Sequence, residues 1–239
     1  MSTTASNSTH QRSVAPPIIR EHRIPTEGAK PYIATEGRDG ALWFCESGAS
    51  KIGRLDCKTY AFTEFALPTA NATPIGIIPG PDGNLWFAEK TGNKIGRITP
   101  RGDITEFPVP TPNAGPDAMM LGPDGNLWFS ETEVSQIGRI TPDGKIAEFK
   151  DGITPGSKPL SIVVRDGALW FSEAAGNRHL VDIDRELLRP GEHHNRRAAD
   201  DNGDRHFLTA LTILEPVQET AGAGGLARHH PHHRAVGGL

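Results

Sequence analysis

All four tryptophans of this 239-residue chain sit inside one recurring phrase, Asp-Gly-x-Leu-Trp-Phe-x-Glu, at Asp39–Glu46, Asp82–Glu89, Asp124–Glu131 and Asp166–Glu173. Successive tryptophans stand 43, 42 and 42 residues apart. A period that constant marks stacked supersecondary units rather than one irregular domain. Nine residues after the first three tryptophans come Ile52-Gly53-Arg54, Ile95-Gly96-Arg97 and Ile137-Gly138-Arg139, then Thr63-Glu64-Phe65, Thr105-Glu106-Phe107 and Ala147-Glu148-Phe149.

Each unit reads as four short strands, A to D, separated by turn residues. In the second copy Ile75–Ile78 is strand A, and Gly80-Pro81-Asp82-Gly83-Asn84 turns into strand B, Leu85–Glu89. Lys90-Thr91-Gly92-Asn93 then turns into strand C, Lys94–Ile98, and Pro100-Arg101-Gly102-Asp103 into strand D, Ile104–Val109. Leu85, Trp86 and Phe87 are all large and apolar, so on a strand they demand cover on both sheet faces. A lone four-stranded sheet leaves one face wet, whereas copies packed face to face cover both. The pattern therefore predicts an all-β protein, a β-propeller with four-stranded blades of about 42 residues.

Composition agrees with this and narrows the partners. The chain has 27 Gly and 20 Pro, a density of turn formers that excludes a helical bundle. Lys plus Arg total 25 against 29 Asp plus Glu, so no bulk charge draws the protein to nucleic acid or to an anionic membrane. No run approaches the roughly 18 to 20 apolar residues of a membrane span, and the first residues have no apolar signal region. A cytoplasmic protein without membrane or nucleic-acid partners is the expectation. Cys45 in strand B should lie opposite about Ile52 or Gly53, too far out of register with Cys57 for a disulfide.

Both ends depart from the repeat. Residues 1–17 read as a disordered segment. Ile19–Thr26 matches Ile104–Thr111 at an offset of 85 residues, the same offset that separates the first and third tryptophans. That segment reads as a strand D closing the last blade, a strap that would remove exposed sheet edges. Downstream, the phase holds through Arg178, where His179-Leu180-Val181 replaces the expected Ile-Gly-Arg. Residues 179–239 contain eight of the ten histidines and no tryptophan. They read as a low-order tail, the product of a frame change or a degenerate propeller end. His193-His194 and His229–His233 lack a scaffold that would fix a physiological zinc site. The propeller is thus expected over 18–178, with about four recognisable blades.

The phrases Gly80–Glu89, Gly92–Pro100 and Ile104–Pro112 closely resemble the virginiamycin B lyase (streptogramin lyase) family, over about residues 18–178. The resemblance implies a seven-bladed propeller that inactivates type B streptogramin antibiotics, with Mg²⁺ assisting, by opening the lactone through elimination without adding water. In that family the general-base His and a substrate-contacting His begin strand A of the last blades, in Pro-His-x-Ile phrases. Here strand A begins at Pro31-Tyr32-Ile33, Pro74-Ile75-Gly76, Pro116-Asp117-Ala118 and Pro159-Leu160-Ser161, and none of these phrases carries His. Seven blades need roughly 290 residues, so four of seven are recognisable. Lyase activity is expected to be impaired, with a non-catalytic binding propeller or a lactone hydrolase as alternatives.

In a propeller the B–C turns and D–A loops open on one face, which gathers Glu46, Glu89, Glu131 and Glu173 near one rim with Tyr32 and Asp117. Tyr32 and Asp117 are the candidate contacts to a small-molecule lactone or cyclic depsipeptide. Glu131 and Glu173 are the candidate ligands of Mg²⁺, a hard cation that prefers oxygen and would polarise a lactone carbonyl. A structural reading stands beside this one: a Glu present in every blade serves every blade, by pairing with Lys or Arg or by accepting turn N–H bonds. The repeated arginines read as structural pairs rather than phosphate contacts. A closed ring would be monomeric, while an open arc with bare blade faces would self-associate.

Overall fold

A computed structural model describes residues 18–175 and 178–183, all within one compact unit, Met1–His194. Among them there is no helix, and fifteen strands form four antiparallel sheets. Blade 1 consists of β1 (Pro31–Glu36), β2 (Leu42–Glu46), β3 (Lys51–Leu55) and β4 (Phe62–Ala66). Blade 2 consists of β5 (Pro74–Pro79), β6 (Leu85–Glu89), β7 (Lys94–Ile98) and β8 (Ile104–Pro108). Blade 3 consists of β9 (Pro116–Leu121), β10 (Leu127–Glu131), β11 (Gln136–Ile140) and β12 (Ile146–Phe149). Blade 4 shows three strands, β13 (Pro159–Arg165), β14 (Ala168–Glu173) and β15 (Arg178–Ile183). Every strand pairs with its sequence neighbour, as in an incomplete β-propeller.

The apolar cores lie between blades, which is why Leu-Trp-Phe needs no polar side. Trp43 and Ile52 pack with Ile77, Leu85, Phe87 and Ile98 of the next blade. Trp86 and Ile95 meet Met119, Leu127, Phe129 and Ile140, and Trp128 and Ile137 meet Ile162, Leu169 and Phe171. The Trp side of each sheet thus closes on the Phe side of the blade that follows. At about 25 cal/mol per Å², a ring burying about 150–250 Å² gives each seam roughly 4–6 kcal/mol of gross transfer energy.

The recurring Asp and Arg lock the tryptophan edge. Trp43, Trp86 and Trp128 donate their indole N–H to Asp39, Asp82 and Asp124 at 3.0, 3.0 and 3.1 Å. The guanidinium groups of Arg54, Arg97 and Arg139 stack over the same three rings, with 5.8, 5.4 and 5.6 Å from Cζ to the centroid. Burial pushes Asp39 upward, but hydrogen bonds from Trp43, Arg54 and the Ala41 N–H outweigh it and hold the carboxyl below its ordinary value. The arginines are accordingly structural. Arg97 also reaches into the next blade, donating to the Pro142 carbonyl at 3.3 Å.

Two boundaries differ from the sequence reading. The expected strand D over Ile19–Thr26 is not a strand: residues 18–24 make no ladder, and Ile18 and Ile19 are 77% and 87% exposed. An outer strand needs a strand C beside it, and this segment forms no ladder even with β15, the third strand of blade 4, whose outer edge is unpaired among the described strands. Its phase is nonetheless real, because Thr26 grips Glu64 as Thr69 grips Glu106 and Thr111 grips Glu148. At the other end, β15 continues past 178 to Ile183, since a ladder bonds backbone groups and does not require Ile-Gly-Arg. Residues 1–17 and the tail from 184 onward, with its histidine clusters and proposed frame change, lie outside the described residues.

Cys45 faces Ile52 across the β2–β3 ladder, as the turn spacing predicts. Both cysteines are free, Cys45 buried and Cys57 exposed. No helix of the described residues is long and apolar enough to cross a membrane.

Candidate functional site

The first strand of each blade begins beside the end of the second, so the sequence brings Tyr32, Asp117 and the repeated glutamates to the same level of the blades. Pro31 pairs with Glu46, Pro74 with Glu89, Pro116 with Glu131 and Pro159 with Glu173. A register shift follows each of these pairs, and such a bulge re-aims the residue after the proline.

Tyr32 and Asp117 have different settings. Tyr32 is 63% exposed and lines a hollow of about 280 Å³ with His22, Ile24, Phe44, Leu55 and Phe62. This hollow lies on the side of blade 1 turned away from blade 2. Asp117, on β9, accepts from Lys90 Nζ of the preceding blade at 2.7 Å. Its carboxylate ties blade 2 to blade 3 and is largely enclosed. The two residues stand two blades apart, and no described contact joins them.

The glutamates are enclosed rather than presented. Glu46, Glu89 and Glu131 are fully buried and Glu173 is 3% exposed. None of the first three takes a hydrogen bond from Lys, Arg or a turn N–H, unlike the structural reading of the sequence. Each instead faces a second carboxyl group on the fourth strand of its own blade: Glu64, Glu106 or Glu148. Burial first, and the neighbouring glutamate second, push Glu46 up to about 7 and Glu89 and Glu131 up to about 8. Glu173 differs, since its Oε1 accepts the Thr154 N–H at 3.0 Å.

The fourth-strand glutamates carry the donors. Glu64 receives Thr26 N–H at 3.0 Å, Thr26 Oγ1 at 2.8 Å and Lys51 Nζ at 3.2 Å. Glu106 receives Thr69 N–H at 2.9 Å, Thr69 Oγ1 at 2.7 Å and Lys94 Nζ at 2.6 Å. Glu148 receives Thr111 N–H at 2.8 Å and Thr111 Oγ1 at 3.0 Å. For Glu64 and Glu106 burial works upward, but the threonine and lysine bonds outweigh it and hold both below the ordinary value. Sequence reasoning registered these residues as part of the repeat without giving them a role. The usable signal was a Glu at the end of strand B, a Gly on strand C and a Glu on strand D, all in phase.

A magnesium ion does not fit Glu131 and Glu173. Mg²⁺ requires nearly octahedral oxygen ligation and keeps several waters, whereas Glu131 is sealed from solvent and its carboxyl neighbour Glu148 is already engaged by Thr111. Glu173 is enclosed as well, with one oxygen committed to Thr154. Among the described residues no group of three or more His, Cys, Asp or Glu side chains is arranged to hold a metal.

Comparison with known proteins gives this architecture its family. The chain is similar to a structure described as a streptogramin B lyase, with 42% identity, a TM-score of 0.63 and coverage of 68% of this chain and 53% of that one. It is also similar to virginiamycin B lyase from Staphylococcus aureus, with 41% identity, a TM-score of 0.62 and coverage of 67% and 57%. A catalytically inactive His-to-Ala variant of that enzyme, solved with quinupristin, matches to the same extent. The chain therefore spans little more than half the length of these solved relatives. A sequence model of the virginiamycin B lyase family matches residues 3–185, and the chain belongs to that family.

Proposed function

We propose that this protein acts on the lactone of a type B streptogramin or a related cyclic depsipeptide, opening the ring by elimination. The described blades serve as the scaffold and one wall of the site rather than as the source of its base. The observation that carries this reading is the 42% identity with a streptogramin B lyase over 68% of this chain. Elimination removes a proton beside the lactone, breaks the ring C–O bond and leaves a carboxylate, with no water consumed. None of Tyr32, Ile75, Asp117 and Leu160, which follow the prolines that begin the first strands, is assigned that proton transfer. Tyr32 is the described residue best suited to contact an aromatic or apolar part of the ligand, being an exposed ring. Asp117 positions the rim through Lys90. Any magnesium the reaction uses is left to ligands outside the described blades.

A second reading, a non-catalytic propeller that binds such a ligand, is favoured by the absence of His from all four first-strand phrases. Incubating the purified full chain with quinupristin and following mass and ring state separates the readings. Elimination gives an opened ring of unchanged mass, hydrolysis adds one water, and a binding module leaves the lactone closed. An opened product of unchanged mass is expected, formed slowly because none of the four first-strand phrases supplies a His base. An intact ring, or a product heavier by one water, overturns the lyase reading.

A further inference from the structure

Blades 1, 2 and 3 each contain a device that neither the packing nor the proposed chemistry uses. Glu46, Glu89 and Glu131 are each completely buried, and none of their carboxyl oxygens meets a protein donor. A buried carboxylate without donors is among the costliest groups a protein can enclose, yet the same group recurs in three blades.

The glycine of Ile-Gly-Arg explains where each group goes. In blade 1, Phe44, Gly53 and Glu64 form one row across the sheet, and Glu46 lies two residues along on the same face. Gly53 leaves that row open, so the Glu46 carboxyl reaches over it toward Glu64; a Cβ on Gly53 would stand 2.7 Å from Glu46 Oε1. Blade 3 repeats the arrangement, with 2.7 Å from a Cβ on Gly138 to Glu131 Oε1. The glutamate on the far side already carries donors from threonine and, in blades 1 and 2, lysine. Two adjacent carboxylates repel when both are ionised, and the fully enclosed one is the costlier to charge. The group without donors therefore keeps the proton and donates it to the group that has them.

We propose that each of the three blades holds one proton shared between its second-strand and fourth-strand glutamates, and that loss of these protons as pH rises through neutrality loosens the propeller, making its cohesion pH-sensitive. The fourth-strand member is also the anchor of the interblade link, because Thr26, Thr69 and Thr111 lie in the segments that lead into blades 1, 2 and 3. Repulsion within a pair is thus delivered to the connection between neighbouring sheets.

The sign follows from the direction of each shift. The second-strand acids titrate above the ordinary value of 4.5, at about 7 for Glu46 and about 8 for Glu89 and Glu131. Their stabilisation is complete below the unfolded value and is lost as pH rises through the folded values. Glu64 and Lys51 face Glu46, Glu106 and Lys94 face Glu89, and Glu148 faces Glu131. Gln136 stands in blade 3 where Lys51 and Lys94 stand in blades 1 and 2. Glu64 and Glu106, held below the ordinary value, contribute in the opposite sense and lose their share only in acid.

Urea unfolding of the full chain at a series of pH values tests this, with infrared spectroscopy reporting the carbonyl stretch of protonated carboxyl groups in the folded protein. The folded-to-unfolded ratio should fall by about tenfold per pH unit for each loaded pair between the unfolded and folded values. A protonated-carboxyl band should be present near pH 6 and absent near pH 9. In the double variant Glu89→Gln/Glu131→Gln the amides donate to Glu106 and Glu148 with no proton to lose, so most of the fall in stability between the ordinary value of 4.5 and about 8, and most of the band, should disappear. A wild-type spectrum without the band at pH 6 overturns the proposal, as does a double variant with the wild-type pH profile. Should the double variant fail to fold, the wild-type spectrum decides.

Discussion

Among the described residues three seams of this propeller are closed, while the two outer blade faces meet no further blade, and the same residues behave differently in the two settings. Trp43, Trp86 and Trp128 are fully buried, but Trp170, at the same place in blade 4, is only partly so. Leu85, Leu127 and Leu169 are no more than 4% exposed, whereas Leu42 of blade 1 is 39% exposed. Val163, paired with Trp170 on the outer face of blade 4, is 46% exposed. A blade does not bury its own tryptophan; the next blade does. The repeat is therefore a unit of sequence but not of stability, and the energetic unit is the seam.

The largest expected effect tests that statement directly. Trp86→Ala, within the seam between blades 2 and 3, should destabilise by about 3–5 kcal/mol, the usual cost of deleting a buried Trp. Trp170→Ala should cost about half of that or less, since only the buried part of the ring contributes transfer energy. Urea unfolding of the two variants at one pH measures the difference. Equal losses would break the comparison, because they would show that Trp170 is as well packed as its counterparts.

Glycine gives a finer version of the same contrast. A Cβ on Gly96 would lie 2.1 Å from Phe87 Cζ, and a Cβ on Gly53 would lie 2.2 Å from Phe44 Cζ. Phe87 is locked at 0% exposure against blade 1, whereas Phe44 lies on the open face at 7%. Gly96→Ala should therefore cost about 1–3 kcal/mol, as overpacked cores do. Gly53→Ala should cost less at the ring, since Phe44 lies nearer the surface, although its Cβ would also press on Glu46 Oε1 at 2.7 Å. Thermal unfolding of the pair provides the measurement, and a larger loss for Gly53→Ala would place the rigidity of the row in the sheet itself rather than in the seam.

What the sequence made legible follows the same division. Blade number, strand order and the bounds Leu85–Glu89 and Lys94–Ile98 could be read from Trp43, Trp86, Trp128 and Trp170, because each blade repeats local turn chemistry and local alternation. The Glu–Glu pairing could not, since it depends on which side chain crosses Gly53 or Gly138 and on Thr26 and Thr111 arriving from the preceding link. These contacts lie 37 or 38 residues apart in the chain. Turn geometry also hid a difference in the fourth copy. Asp166 repeats the phrase of Asp39 but ends a tight β13–β14 hairpin at φ 52° and pairs with Arg165 at 3.6 Å. The candidate site was the least legible part, because nothing in Pro-Tyr or Pro-Asp distinguishes an exposed ring from a carboxylate engaged by Lys90.

The smallest effect concerns how the closed seams differ from one another. At the seam between blades 2 and 3, Lys90 crosses to Asp117 with side-chain exposures of 30% and 13%. At the seam between blades 3 and 4 the same turn position is Thr132, which is buried and donates to the Pro159 carbonyl at 2.9 Å. Water and salt screen the ion pair, so Asp117→Asn should cost about 0.2–1 kcal/mol and should converge with wild type as ionic strength rises. Thr132→Ala removes a screened-off neutral bond and should cost about 0.5–1.5 kcal/mol with no salt dependence. Unfolding both variants in low and high salt makes the distinction. A salt-independent loss at Asp117 would show that its carboxylate acts through packing, so that the interblade grip is apolar even where it is written in charges.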